Sequence, residues 1–523
     1  MVHDHDHEHD VEDPRTLLGP LVDAVMEREV RSRLDHARLR VRDTTLWPPP
    51  GDITEPWLGW LDSIARAETH LRRMRPLVAD VVAEGVQDVV LVGMGGSSLF
   101  PMVLAGVWGS APEHPRLHVL DSTDPAAVAR VETDVDWTRT VVVAASKSGT
   151  TVETLAHLDR FVYRLTEALE ERAPSRVVVI TDPGSALERR AVSEGFRAVV
   201  PGDADVGGRY SALSPFGLLP AALIGADVER MLVRARKAAA AWVVDPWVDG
   251  GPSAIAALLA AGVAAGRDAL HLIVDGRAGM FGAWVEQLVA ESSGKDGTGV
   301  LPIVVRTAED VVAADRAVAV VVGDVEGIDE LVAREVPTLR IRWDGPAALM
   351  AEATRWMQAV PLLCAQLGVD PFDQPDVAAA KAATAAALAD GTEPPDAVTI
   401  ASIATQLRAA GSIALLAYVD PGGADAARLE AQAHGLAERF GVPVSVGIGP
   451  RYLHSTGQLH KGGRADVALL LIVGDDPEDV PLPGRGHGFA RLKRAQAAGD
   501  LVALRAAGRV AHRIAADDPD LIV

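Results

Sequence analysis

At 523 residues the chain has room for two or three domains, and its wealth of Ala, Val, Leu and Gly with few aromatics is globular rather than disordered. A formal charge of −22 argues against nucleic acid or an anionic membrane as the main partner, so an anionic ligand would need a local positive pocket. The lone Cys364 cannot form an internal disulfide, which fits a reducing cytoplasm; no signal peptide is expected, and the apolar runs are too short or too interrupted for a membrane span.

The chain opens on His3-Asp-His-Asp-His-Glu-His-Asp10, read as a solvated tail with divalent-metal binding as the alternative. Charged helical patterns follow over 17–42, 57–73 and 77–84, broken by the prolines after Trp47. They suggest an N-terminal helical arm within residues 1–75. From Asp88 apolar strands and amphipathic helices alternate, with strands at 88–93, 117–120, 141–145, 176–180 and 198–200. After a linker at 242–252 the alternation resumes, with strands at 270–274, 317–322, 338–342, 412–418, 443–447, 466–473 and 509–514. Such alternation predicts an α/β fold with parallel sheets covered on both faces. Two doubly wound lobes are expected, at 76–240 and 253–523.

The stretch Val141–Thr154 organises the rest. A β-branched strand runs into Ser146-Lys-Ser-Gly-Thr-Thr151, and Leu155, Leu158, Val162, Leu165 and Leu169 then mark one face of a helix. A strand, a hydroxyl-rich turn and a helix N-terminus together form an anion cradle, most simply for a phosphate monoester. Ser146, Ser148, Thr150 and Thr151 supply hydroxyls and Lys147 a cation, whereas a helix cap alone would need one hydroxyl.

Gly93-Met-Gly-Gly-Ser-Ser98 also follows a strand, but its glycine spacing is not the dinucleotide fingerprint. Gly95 and Gly96 would let backbone approach a sugar, with Ser97 as a donor. Gly207-Gly-Arg-Tyr-Ser211 holds Arg209 on a tight turn. On the Phe281–Ser293 helix Gln287 and Glu291 share a face, and Glu291 sits in the last turn, where the dipole disfavours an anion. That would suit a general base. Gln374 and Lys381 lie seven residues apart, about two helical turns, so both can face one pocket. His454 and His460 complete the set. Taken singly, Glu291, Lys381 and either histidine would pass for ordinary surface or structural residues.

Together, Gly95-Gly-Ser-Ser98, Ser146–Thr151, Gly207-Gly-Arg-Tyr-Ser211, Gln287-x-x-x-Glu291-Ser-x-Gly-Lys295, Phe372-Asp-Gln-Pro-x-Val-x-x-x-Lys381 and His454-Ser-x-Gly-Gln458 resemble the phosphoglucose isomerase family, built from two sugar-isomerase (SIS) domains. The resemblance covers about 88–500. It implies reversible isomerisation of glucose 6-phosphate and fructose 6-phosphate without metal or cofactor, in a cytoplasmic homodimer. By position it implies that Ser146, Lys147, Ser148, Thr150 and Thr151 hold phosphate, while Gly96, Ser97, Gln287 and Gln374 line the sugar pocket. Glu291 would move the proton between C1 and C2, Arg209 would stabilise the enediolate, and His454 and Lys381 would assist ring opening. The order Glu291, Lys381, His454 departs from the bacterial pattern and resembles the isomerase part of transaldolase–isomerase fusions, although no transaldolase half is evident. It leaves His460 as an alternative to His454. Acceptance of mannose 6-phosphate and a non-catalytic sugar-phosphate sensor stay open as alternative functions. The sensor would need the phosphate loop but not Glu291, Arg209 and Lys381.

Overall fold

The computed structural model describes residues 16–49, 57–276 and 278–521. The histidine-rich tract at 3–10 lies outside them.

Among the described residues thirteen strands form three parallel sheets. The first holds β1 (Asp88–Gly93), β2 (Arg116–Leu120), β3 (Thr140–Ala145), β4 (Val177–Thr181) and β5 (Ala198–Pro201), in the order β2-β1-β3-β4-β5. The strands β1 and β3 are buried throughout, as their unbroken apolar runs require. They run in register from Asp88 against Thr140 to Gly93 against Ala145. Chain direction through the sheet reverses between them, so the loops after β1 and β3 flank the crevice where such sheets bind ligands. Those loops are the glycine-rich and hydroxyl-rich segments.

The span expected to form one second lobe carries two sheets. One holds β6 (Ala269–Val274), β7 (Leu301–Val305), β8 (Ala317–Val322) and β9 (Thr338–Ile341), in the order β7-β6-β8-β9. The other holds β10 (Ser412–Tyr418), β11 (Val444–Ile448), β12 (Val467–Val473) and β13 (Val510–Ile514), in the order β11-β10-β12-β13. Periodicity identifies a strand but not its partners, and three helices separate β9 from β10. The first two sheets share one core, from Val89 and Val141 through Trp284 to Leu270 and Val320. The third sheet has its own cores on its two faces, and the helix Phe489–Ala506 lends Phe489 and Leu492 to the far face of the first sheet.

Two local differences have simple causes. The edge strand β7 contains Pro302, paired in register with Leu270. Proline cannot donate to a ladder and is tolerated at an edge, so the sequence pattern hides the strand. In the arm, one helix, Ser63–Ala83, runs through Pro76 where two were expected. Pro76 is exposed, so water can satisfy the carbonyl it frees. The other arm helix, Val22–Arg40, packs on Pro252–Ala264 and Leu349–Leu367, and Trp47 Nε1 donates to Pro361 O at 2.8 Å. Among the described residues no helix is long and apolar enough to cross a membrane.

Candidate active site

Thr151 is the N-cap of the helix Val152–Leu169 in extended conformation (φ −64°, ψ 115°), yet its side chain makes no cap hydrogen bond. Its hydroxyl pairs instead with Ser146 Oγ at 3.0 Å, and Ser146 Oγ accepts from Gly149 N at 3.2 Å. Ser146 thus shapes the loop from inside. Ser148 and Thr150 are exposed and pair with each other at 2.9 Å, so a bound anion can recruit both. Lys147 is placed differently from an open donor. Its Nζ is 2.5 Å from Asp182 Oδ2 and 3.2 Å from Asp203 O. Burial holds the Asp182 carboxyl above its ordinary value despite the lysine. The loop therefore offers hydroxyls and helix-end amides, with Lys147 charge-paired beside them.

The glycine loop is built on close contact. A Cβ on Gly96 would lie 1.9 Å from Gly208 O, and one on Gly95, which has φ +54°, would lie 2.7 Å from His454 O and 2.9 Å from Gln287 Nε2. Only glycine lets the turns carrying Arg209 and His454 close on this loop. Ser211 Oγ donates to Gly96 O at 3.2 Å, and Ser97 is buried beside it.

At this junction Arg209 Nη1 lies 3.0 Å from Glu291 Oε1, with side chains 2% and 8% exposed. The guanidinium also donates to Pro371 O at 2.8 Å and to Asp373 O at 3.1 Å, so it is fixed rather than merely attracted. Gln287 Nε2 donates to Glu291 Oε2 at 3.0 Å and to His454 O at 2.8 Å. Both carboxylate oxygens are thus held. Glu291 lies in the last turn of the helix Gly279–Ser293, as expected from the sequence, and the guanidinium opposes the unfavourable dipole there.

His454 follows β11 and directs Nε2 at Glu153 Oε1, 3.1 Å away. Burial pushes the Glu153 carboxyl upward, but the His454 imidazole and hydrogen bonds outweigh it and hold the group below its ordinary value. Glu153 joins this group of candidate residues through the fold alone. It stands two residues past the phosphate loop, and only the fold reveals its partner.

Two expected residues are placed otherwise. Lys381 lies exposed on the helix Val377–Asp390, with no hydrogen bond or ion pair among the described residues. His460, the alternative to His454, is buried against the Tyr452 ring at 6.2 Å, and burial drives its pKa down to about 3. It does not join the group around Glu291. Gln374 is half-buried beside Asp373. A buried lysine does reach this segment: Lys295 Nζ pairs with Asp373 Oδ1 at 2.6 Å and donates to Asp370 O. Burial and the nearby Arg209 lower its pKa. Arg209 and Lys295 together anchor the 370–373 segment that leads to Gln374.

A family model described as phosphoglucose isomerase matches residues 60–308. Over this span, just under half of the chain, the sequence is similar to the phosphoglucose isomerases. A glucose-6-phosphate isomerase of Thermus thermophilus is 42% identical over 185 residues, 35% of this chain and 42% of the relative. One of Rubrobacter xylanophilus is 35% identical over 273 residues, 50% of this chain and 60% of the relative. A solved structure from Thermus thermophilus, titled a hypothetical protein, superposes with TM-score 0.60 at 27% identity, covering 70% of this chain and 97% of the other. A glucose-6-phosphate isomerase from Chlamydia trachomatis shares the fold at TM-score 0.51 and 20% identity, covering 71% of this chain and 80% of the other. The chain spans between 42% and 60% of the length of these two curated relatives. The phosphoglucose isomerase match contains the phosphate loop, Glu153, Arg209, Gln287 and Glu291, whereas Gln374, Lys381 and His454 lie beyond it. Among the described residues no cluster of three or more His, Cys, Asp or Glu side chains could hold a metal ion.

Proposed function

We propose that the protein interconverts glucose 6-phosphate and fructose 6-phosphate through an enediolate. The observation that carries this reading is the buried Arg209–Glu291 contact at 3.0 Å, with Gln287 on the second carboxylate oxygen and His454 beside it. A carboxylate base needs to sit next to a cation that can take up the charge it creates. Ser146, Ser148, Thr150 and Thr151 hold the phosphate, with Lys147, paired to Asp182, beside them. Gly96, Ser97 and Gln374 border the sugar. His454, oriented by Glu153, moves the ring proton as the hemiacetal opens. Glu291 takes the C2 proton of the open aldose, Arg209 stabilises the negative O1 of the enediolate, the O2 hydroxyl proton passes to O1, and Glu291, able to exchange its proton with solvent, delivers a proton to C1 as the C2 carbonyl forms. Lys381 enters this scheme by swinging in from its exposed helix position toward the opened sugar.

The reading extends to a cytoplasmic homodimer on the strength of the resemblance and the single buried cysteine. It also keeps a first unit at 76–240, with 253–523 as a second unit of two sheets. A coupled assay in both directions, with and without chelator, tests the activity. Turnover that survives chelation and is lost in Glu291→Gln is expected. No turnover of either sugar phosphate by the folded wild type refutes the reading. Mannose 6-phosphate in the same assay tests breadth, and sedimentation tests the dimer.

A further inference from the structure

Glu153 has an ion pair with His454 and with no lysine or arginine among the described residues. The nearby carboxylates Asp121 and Asp124 are already taken by Arg451 and Lys493. The other side chain that serves Glu153 comes from the helix Phe489–Ala506, beyond the family match. Gln496 Nε2 donates to Glu153 Oε1 at 2.7 Å, the same oxygen that faces His454 Nε2. At its other end Gln496 Oε1 accepts from Thr123 Oγ1 at 2.6 Å. With the hydroxyl on the amide oxygen, the amide NH₂ faces the carboxylate. Gln496 is fully buried, so both ends of its amide are committed in a place where an unpaired polar group is costly.

We propose that Gln496 is a positioning residue: it fixes the Glu153 carboxylate so that His454 presents Nε2–H to Glu153 and Nδ1 to the sugar. In its kinetic consequence the inference rests on the isomerase reading; in its geometry it does not. The test is a double-mutant cycle with Gln496→Leu and the isosteric Gln496→Glu, each made in the wild type and in a His454→Gln background. Thermal melting checks the fold. In the wild-type background kcat should fall about 10- to 100-fold, taking the loss seen when the partner that orients a metal-ligating imidazole is removed as the guide, with KM within about twofold. In the His454→Gln background no further loss should follow. Equal losses in both backgrounds overturn the proposal. If Gln496→Leu fails to fold, Gln496→Glu decides. If the wild type lacks isomerase activity, the functional reading fails by itself and the positioning is read by NMR. The wild type should then show a downfield, exchange-protected ring N–H proton that is absent in His454→Gln, and Gln496→Leu should shift it or lose it. An unchanged resonance overturns the proposal.

Discussion

Replacing Glu291 with glutamine tests the chemistry most directly, because the structure fixes what the change removes. Both carboxylate oxygens are in use, one by Arg209 Nη1 at 3.0 Å and one by Gln287 Nε2 at 3.0 Å. In the amide one acceptor becomes a donor. If the remaining oxygen stays on Arg209, the new NH₂ meets the Gln287 NH₂. If Gln287 turns over to offer its buried Oε1, which has no hydrogen-bond partner among the described residues, it gives up its bond to His454 O. One hydrogen bond is lost either way, about 1–3 kcal/mol. The buried guanidinium also loses its counter-charge, and removing one partner of a buried pair costs about 3–5 kcal/mol. Arg209 keeps its bonds to Pro371 O and Asp373 O, which places the total near the lower end of the sum, about 4 kcal/mol. The variant should therefore fold with a lowered melting temperature. Loss of a positioned general base should cut kcat by about 10² to 10⁴. Proton NMR in D₂O follows washout of the C2 proton of glucose 6-phosphate, and circular dichroism checks the fold. A folded variant that exchanges C2 at the wild-type rate, or keeps kcat within about tenfold, refutes Glu291 as the base.

Ser148→Ala and Thr150→Ala should each raise KM about tenfold, the loss of one hydrogen bond to a charged group, with smaller effects on kcat; unchanged KM in the double variant removes the loop as phosphate site. Glu153 is held below its ordinary carboxyl value in the fold, so its pairing stabilises the protein above the unfolded value of 4.5 and the contribution is lost as pH falls through the folded one. The stability gap between wild type and Glu153→Gln, measured by denaturant titration, should be full at pH 7 and shrink below about pH 4.5; a gap that widens on acidification contradicts this sign. Lys381→Ala should leave the melting temperature unchanged, since the side chain is exposed, and lower kcat/KM at least about tenfold; unaltered kcat/KM takes Lys381 out of the site. Gly96→Ala puts a Cβ 1.9 Å from Gly208 O, which no side-chain motion relieves, and should cost about 1–3 kcal/mol together with most of the activity; a wild-type melting curve with full activity shows that the loop is not tightly closed.

Local geometry was legible in the sequence wherever one segment carries it. The strand, turn and helix around Ser146–Thr151 and the shared face of Gln287 and Glu291 needed only strand and helical periods. Pairings between distant segments were not legible. Lys147 looks like a free phosphate ligand until Asp182, thirty-five residues on, is seen to hold it. Glu153 looks like an ordinary first-turn carboxylate until His454 arrives from the third sheet. The division into three sheets was hidden for the same reason, because alternation says nothing about which strands pair. Pro302 added a local disguise to β7.

The altered order of the motifs has a physical resolution in how the third sheet docks. Its carboxyl end meets that of the first sheet through charged pairs. Arg451 grips Asp121 with two bonds of 2.8 Å, Lys493 joins Asp124 at 2.9 Å and Asp476 at 2.5 Å, and Arg130 grips Asp420 at 2.5 and 2.7 Å. Lys493, Asp124 and Asp121 are buried, so a slip of this interface would strand charges away from water at a cost of several kcal/mol. The pairs thereby fix one register. His454 follows Arg451 by three residues, within the same short helical turn Arg451–His454. Once Arg451 is seated on Asp121, His454 has little freedom but to face Glu153 at the start of the Val152–Leu169 helix. Lys381 is carried separately, on a helix packed against Phe489–Ala506. The Asp121–Arg451 pair holds the turn that carries His454, and that contact does not depend on where Lys381 falls in the chain. A histidine that follows the lysine in sequence can therefore stand where the Glu291 site requires it.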